Sequence, residues 1–251
     1  MLSTLPRLIG HRGAKENAPE NTLASIREAA RQGAAWVEVD VALTRDGVPV
    51  VIHDETLERT TSGTGPLAGI DWADLQRLDA GSWFAPAFAG ERVPSFDALL
   101  DLVLELGLGL NAEIKPTPGR GVETAETALN TLKRHWPPDD LNGGRPLLVS
   151  SFEPECLDVA KALAPEIPRG YLLWDPPADW TAVADRIDAA TINVEHGRQS
   201  AESIAAYRAT GRPVLAYTVN DAARARTLFE WGVSAVFTDA PGRLAGALRA
   251  V

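Results

Sequence analysis

Two carboxylates two residues apart, Glu38 and Asp40, lie in the run Val37-Glu38-Val39-Asp40-Val41. In a β-strand, side chains i and i+2 share a face, so the valines take one face and both acids the other. A second run, Asn111-Ala112-Glu113-Ile114-Lys115, repeats the alternation and adds Glu113, with Asn111 and Lys115 on its face. Like charges desolvated side by side do not all stay ionised without a counter-charge. Three hard oxygen donors, with no Cys and no obligatory His, favour one divalent metal ion, Mg2+ or Ca2+, whose shell water or substrate oxygens would complete. The structural alternative is a buried ion network with Arg12 and Lys115, but two basic groups do not neutralise three acids. His11 and His53 each end a strand-like run. Two histidines flanking a metal suit general acid/base work on a P–O bond, one deprotonating the attacking oxygen and the other protonating the leaving alkoxide. Arg12 and Lys115 then read as phosphate clamps. His135, which closes a helical stretch before Pro137, and His196, which follows a strand, need only structural roles.

For these groups to meet, the elements that carry them must converge. Short β-branched apolar runs at 7–10, 36–43, 110–115, 147–151, 170–174, 191–194, 214–219 and 235–238 alternate with helical periodicity at 22–32, 95–106, 122–135, 154–163, 180–188, 201–210, 221–231 and 241–249. That alternation is the pattern of βα units around a parallel sheet. Asn21 before the first helix, Ser95 after Pro94, Pro154 in a first turn, and Gly33 and Gly211 after last turns supply start and stop signals. Eight such units in 251 residues predict an α/β fold, the (β/α)8 TIM barrel. Consecutive strands of a barrel are neighbours, which puts Glu113 beside Glu38 and Asp40. Residues 48–53 follow the second strand too closely for a parallel crossover. They are predicted to form an antiparallel hairpin arm, turned at Arg45-Asp46-Gly47, that folds His53 back to the C-terminal mouth. Residues 54–92, which carry Trp72, Trp83, Phe84 and Phe88 and a short helical pattern at 71–77, read as an insertion over that mouth. It is either a substrate-shaping lid or a packed cover. The expected organisation is one domain over 1–251 with this inserted subregion.

The composition narrows the function. With 24 Lys+Arg against 34 Asp+Glu, the formal charge of -10 repels nucleic acid and anionic lipid surfaces. No apolar run approaches the roughly 18 to 20 residues that span a bilayer, and the first residues lack a basic segment followed by an apolar stretch and a cleavage site. A single cysteine, Cys156, excludes an internal disulfide. The expectation is a cytoplasmic protein with a small-molecule substrate, no nucleic-acid partner and no stable membrane association; the oligomeric state is left open. No G-x-S-x-G elbow or G-x-x-x-x-G-K-[ST] loop occurs. Residues 63–68 mimic a dinucleotide fingerprint only as a string, since they contain Pro66 and follow no βαβ strand.

Across almost the whole chain, ordered motifs resemble the glycerophosphodiester phosphodiesterases, most closely the cytosolic bacterial members. They are His11-Arg12-Gly13, Pro19-Glu20-Asn21-Thr22, Glu38-Val39-Asp40, Thr44-Arg45-Asp46-Gly47, His53-Asp54, Asn111-Ala112-Glu113-Ile114-Lys115, Ser150-Ser151-Phe152, Tyr217-Thr218-Val219-Asn220 and Thr238-Asp239. The resemblance implies metal-dependent hydrolysis of a glycerophosphodiester, such as a deacylated phospholipid headgroup, to sn-glycerol 3-phosphate and an alcohol. It implies metal ligation by Glu38, Asp40 and Glu113, acid/base roles for His11 and His53, and phosphate contacts from Arg12 and Lys115. Glu20 and Asn21 would support the same mouth, with Glu20 a partner for Arg12. Tyr217 stands where many relatives carry Trp, a departure that bears on the alcohol side of the pocket.

Two rival readings use the same barrel. A phospholipase acting on intact or lysolipids needs an apolar rim to meet a membrane, and the acidic charge and lack of a basic amphipathic helix argue against it. A silent barrel that only binds a phosphorylated ligand would not need the full set of acids and histidines present here.

Overall fold

Residues 5–137 and 146–250 are described in the structure, a computed structural model. In chain order the elements are β1 (Leu8–His11), α1 (Leu23–Arg31), β2 (Trp36–Leu43), β3 (Pro49–Val51), α2 (Trp72–Leu75), α3 (Phe96–Glu105), β4 (Gly109–Ile114), α4 (Gly121–His135), β5 (Leu147–Ser151), α5 (Pro154–Leu163), β6 (Arg169–Leu173), α6 (Trp180–Arg186), β7 (Thr191–Glu195), α7 (Ala201–Arg208), β8 (Val214–Tyr217), α8 (Ala222–Trp231), β9 (Ala235–Thr238) and α9 (Pro241–Arg249). All of these strands except β3 are parallel to their neighbours, and the sheet closes because β1 pairs with both β2 and β9. The predicted TIM barrel is the fold observed.

The strand alternation sorts side chains as expected. Val37, Val39 and Val41 of β2 join Leu99, Val103, Ala125 and Leu129 in the apolar layer between sheet and helices. Inside the barrel, Ile9, Trp36, Leu148, Leu215, Ala235 and Phe237 fill the lower end. Trp36 needs a glycine beside it: a Cβ on Gly109 would lie 2.6 Å from the indole nitrogen. Above this plug the inward positions turn polar, so the upper half of the barrel presents chemistry instead of a core.

The hairpin arm explains how His53 reaches the mouth. The lower half of β2 pairs with β1 at residues 36–38. Its upper half extends past the end of β1 and pairs antiparallel with β3, Val41 opposite Val51 and Leu43 opposite Pro49. The Ile52 amide continues the ladder to the Asp40 carbonyl at 3.1 Å, which sets His53 down beside Asp40. Gly47 makes the turn with φ +80, its amide donating to the Thr44 carbonyl.

The insertion carries its own small core: Leu57, Leu67, Leu75 and Ala80 pack against Val50 and Ile52 of the arm and Ala42 of β2. Trp83, Phe84 and Phe88 stack edge to face on one another. The insertion therefore buttresses the arm that carries His53. One start signal is displaced: Thr22, and not Asn21, caps α1, its Oγ1 accepting from the Ser25 amide at 3.3 Å. Asn21 adopts a left-handed conformation, φ +57, and turns its side chain into the barrel mouth.

Candidate active site

Glu38 and Asp40 on β2 and Glu113 on β4 converge as the strand-face reading requires, because Asp40 and Glu113 are register partners. One carboxylate oxygen from each lies within 4.8 Å of the others, an arrangement that can hold a metal ion. Their surroundings are unequal. Burial opposes the charge on Asp40, but Arg12 and Lys115 hold its carboxyl down at about 2. Arg12 Nε lies 3.1 Å and Lys115 Nζ 3.9 Å from its oxygens, and Asn21 Nδ2 donates to it at 2.8 Å. Arg12 at Glu38, and Lys115 with Arg12 at Glu113, compensate less than burial and the neighbouring acids cost. Burial and the Asp40 charge push Glu113 up to about 8, and burial with both neighbouring acids drives Glu38 well above the usual carboxylate range. Glu38 Oε2 accepts from the Arg12 amide at 2.9 Å, while Oε1 is buried with no hydrogen-bond partner. An orphaned buried oxygen among three acids is the donor set of a hard divalent cation. The residues fit such an ion.

This frustration has a pH signature. An unfolded glutamate ionises near 4.5, whereas folded Glu113 keeps its proton to about 8, so the folded state binds more protons across that interval and stability falls as pH rises. Asp40, Glu20 and Asp239, each held at about 2, titrate below it. The lowered His11 and His53 act in the opposite sense only below their ordinary value of 6.5. The thermal midpoint of metal-free protein is thus expected to drop between pH 6.5 and 8, and Mg2+ or Ca2+ to shrink that drop by binding the ionised form. A flat profile that divalent cation leaves unchanged would contradict it.

The two histidines are mounted alike. His11 Nδ1 lies 2.7 Å from Asp239 Oδ1, and His53 Nδ1 lies 2.7 Å from Asp54 Oδ1. In each neutral imidazole the carboxylate selects the Nδ1–H tautomer and leaves Nε2 free to take a proton. His11 Nε2 is 4.0 Å from Glu38 Oε2. Burial lowers both histidines, and the carboxylate partners pull partly back. Asp239 is held in turn by Asn220 Nδ2 at 2.8 Å, while Asn220 Oδ1 accepts from the Asp239 amide at 2.8 Å.

Arg12, at φ +52, is turned back over β2 by the sharp His11-Arg12-Gly13 bend. Gly13 is needed there, since a Cβ would meet Ser25 Oγ at 2.5 Å. Arg12 Nη1 donates to Glu20 Oε1 at 2.7 Å. Arg59, from the insertion, clasps two carboxylates at once. Its Nη1 and Nη2 reach Glu20 at 2.9 and 2.8 Å, and its Nε and Nη2 reach Asp54 at 2.5 and 2.9 Å. One guanidinium therefore braces both the Glu20 that holds Arg12 and the Asp54 that holds His53. Outer partners of this kind contribute on the order of 10- to 100-fold, so Arg59→Ala is expected to lower kcat by that order. Arg59→Lys, which lacks the bidentate fork, should recover only part of it. Steady-state kinetics alongside circular dichroism checks this, and an unchanged kcat in folded Arg59→Ala would contradict it.

His11, Arg12, Glu38, His53, Asn111, Glu113, Lys115 and Thr218 supply the polar lining of a cavity of about 310 Å³ at the barrel mouth, and Phe152, Leu172, Trp174, Tyr217 and Phe237 the aromatic and apolar lining. Glu20 and Asn21 stand behind this lining as supports. None of residues 54–92 lines the cavity, so the aromatics of the insertion do not form its wall. His135 lies between Asp97 at 2.8 Å and Asp101 at 3.1 Å, tying α4 to α3, and His196 is outside the lining. Burial pushes the Cys156 thiol up to about 12, which keeps it unreactive. Asp54, Arg59, Asn220 and Asp239 hold the site although sequence reasoning assigned them no part. Asp54, Asn220 and Asp239 fall within its motifs, next to His53 or at strand ends, which was the available signal.

Residues 11–243 match the model of the Glycerophosphoryl diester phosphodiesterase family. The chain is 40% identical to an Oleispira antarctica phosphodiesterase whose structure was solved in complex with the product sn-glycerol-3-phosphate; 97% of each chain is covered, with a TM-score of 0.92. It is 31% identical over 242 residues to the glycerophosphodiester phosphodiesterase of Caldanaerobacter subterraneus subsp. tengcongensis, covering 96% of this chain and 97% of that one. To the glycerophosphodiester phosphodiesterase of Bacillus subtilis it is 31% identical over 253 residues, covering 93% and 83%.

Proposed function

The chain belongs to the glycerophosphoryl diester phosphodiesterase family and is a glycerophosphodiester phosphodiesterase; from that premise we propose that it hydrolyses deacylated phospholipid headgroups to sn-glycerol 3-phosphate and an alcohol, using one divalent cation and two histidines. The observation that carries this reading is the convergence at one cavity of three mutually repelling acids, Glu38 and Glu113 on its lining and buried Asp40 beside them, with two lining histidines each anchored through Nδ1 to an aspartate.

Glu38, Asp40 and Glu113 would hold the cation, Mg2+ or Ca2+. When bound, it supplies positive charge for the phosphoryl oxygens as the diester is attacked. Arg12 and Lys115 orient the phosphate from the rim of the acid cluster, while Glu20 and Asn21 keep Arg12 and Asp40 in place. His11, the deeper of the two, takes the proton of the attacking oxygen at Nε2, and Asp239 steadies the imidazolium that forms. His53, which must first take a proton from solvent at Nε2, delivers it to the alcohol oxygen as the P–O bond to the alcohol breaks and the new P–O bond to the attacking oxygen forms. The same pair serves whether the attacking oxygen belongs to water or to the neighbouring glycerol hydroxyl, which would first close a cyclic phosphate. A cytoplasmic place of action fits a fold with one cysteine and, among the described residues, no helix long and apolar enough to cross a membrane.

Phosphorus NMR of glycerophosphocholine incubated with the protein tests the bond cleaved. Free choline with sn-glycerol 3-phosphate is the expected outcome; phosphocholine with glycerol would contradict it.

A further inference from the structure

Besides its charged residues, the cavity is lined by Phe152, Leu172, Trp174, Tyr217 and Phe237, with Thr218 among them. Trp174 is 52% exposed and Phe152 38% exposed, although large aromatic side chains ordinarily seek burial. Both stand just past the C-terminal ends of β6 and β5, at the mouth of the cavity that the acids line. The phosphate and glycerol halves of a diester substrate have polar partners in Arg12, Lys115 and the acids. The aromatic part of the lining offers few: Thr218 and the Trp174 indole N–H are the polar side-chain groups beside the rings. Phe152, Leu172 and Phe237 carry no polar side-chain atom, and the Tyr217 hydroxyl is already spent on the Leu173 carbonyl at 3.0 Å, so Tyr217 offers its ring. The Phe152 and Tyr217 rings pack edge to face, with centroids 5.9 Å apart. Trp174 already carries one cation on its ring, the Arg198 guanidinium 5.3 Å from the centroid, itself neutralised by Asp175.

Building on the diester hydrolysis proposed above, we infer that Trp174, Phe152 and Tyr217 form the subsite for the alcohol and select a cationic one, above all a quaternary ammonium of the choline class. Aromatic faces attract such a group through the ring quadrupole and need no hydrogen bond in return. A primary ammonium meets the same rings but arrives with three donors, more than the single Thr218 hydroxyl can accept. A polyol such as inositol fares worst, because most of its hydroxyls would be desolvated against rings and a leucine, with Thr218 the one hydroxyl residue among them whose oxygen is not already spent. The overall charge of -10 favours the approach of a cationic group to the rim.

The test compares kcat/KM for glycerophosphocholine, for its uncharged isostere with a 3,3-dimethylbutyl group in place of choline, and for glycerophosphoinositol. Wild type is expected to favour glycerophosphocholine over the isostere by about 2- to 30-fold, the span of a cation–π contact between exposed and desolvated settings, and to favour it over glycerophosphoinositol as well. Trp174→Ala and Phe152→Ala, at exposed positions where truncation is tolerated, should collapse the ratio to the isostere toward one while changing glycerophosphoinositol turnover less. Equal or faster turnover of the isostere by wild type would overturn the inference and leave only an apolar wall. A Trp174→Ala effect of the same factor on all three diesters would overturn it too. No turnover of any of the three would instead overturn the hydrolysis reading itself, so the two failures are distinguishable.

Discussion

His53→Ala is expected to lower kcat on a diester with a poor alkyl leaving group by about 10²- to 10⁴-fold, the usual contribution of a general acid, and to lose much less on a nitrophenyl ester of glycerol phosphate. A good leaving group departs without a proton, so the variant should be spared on that substrate alone. His11→Ala, lacking the base, should lose similar factors on both. The assignment rests on depth: the His11 side chain is 13% exposed, whereas that of His53 is 29% exposed and nearer the solvent into which an alcohol departs. Both variants should keep nearly the wild-type metal affinity, because neither imidazole belongs to the acid cluster. Steady-state rates on the two substrates decide the matter. A near wild-type rate for either variant on the alkyl diester would return that histidine to a structural role.

Glu113→Gln should produce an opposed pair of effects. It removes a charged oxygen from the acid cluster, so metal affinity should fall by at least about tenfold, and the rate with it at limiting metal. The metal-free variant should nevertheless be more stable than wild type at pH 8, since the amide removes a carboxylate that burial and Asp40 push up to about 8. Glu38→Gln should behave similarly, its carboxyl being displaced in the same direction by burial and the same neighbours. Asp40→Asn should lose metal and stability together, because Asp40 is the acid that Arg12, Lys115 and Asn21 already compensate. Calorimetric metal titration and thermal melts of the three variants check this pattern. A Glu113→Gln variant that binds metal as wild type does would contradict the ligand role.

The parts of the site carried by short-range periodicity were legible in the sequence. Strand alternation in residues 37–41 and 111–115 determines which side chains share a face, and the parallel pairing of β2 with β4 brings the acids together. The hairpin was legible because four residues cannot make a parallel crossover. What failed to show depends on long-range closure. Asp239 meets His11 across 228 residues, through the pairing of β1 with β9 that closes the barrel. Arg59 reaches Glu20 across 39 residues, and only because the insertion packs against the arm. Asn21 reads locally as a helix cap, yet Thr22 fills that role and frees the amide for Asp40. By composition the aromatics of the insertion fitted a substrate-shaping lid and a packed cover equally well. Trp83, Phe84 and Phe88 pack edge to face and Trp72 packs on the insertion's own core, and the aromatic lining of the cavity comes from Phe152, Trp174, Tyr217 and Phe237 on the ends of barrel strands and their following loops.

The most direct test of the cation-dependent diesterase is the initial rate of sn-glycerol 3-phosphate release from glycerophosphocholine by protein dialysed against EDTA, before and after addition of Mg2+ or Ca2+. Negligible release from the chelated protein, restored by one of the two cations in excess, is the predicted result. Full turnover by the chelated protein would contradict it and reduce Glu38, Asp40 and Glu113 to a buried ion network.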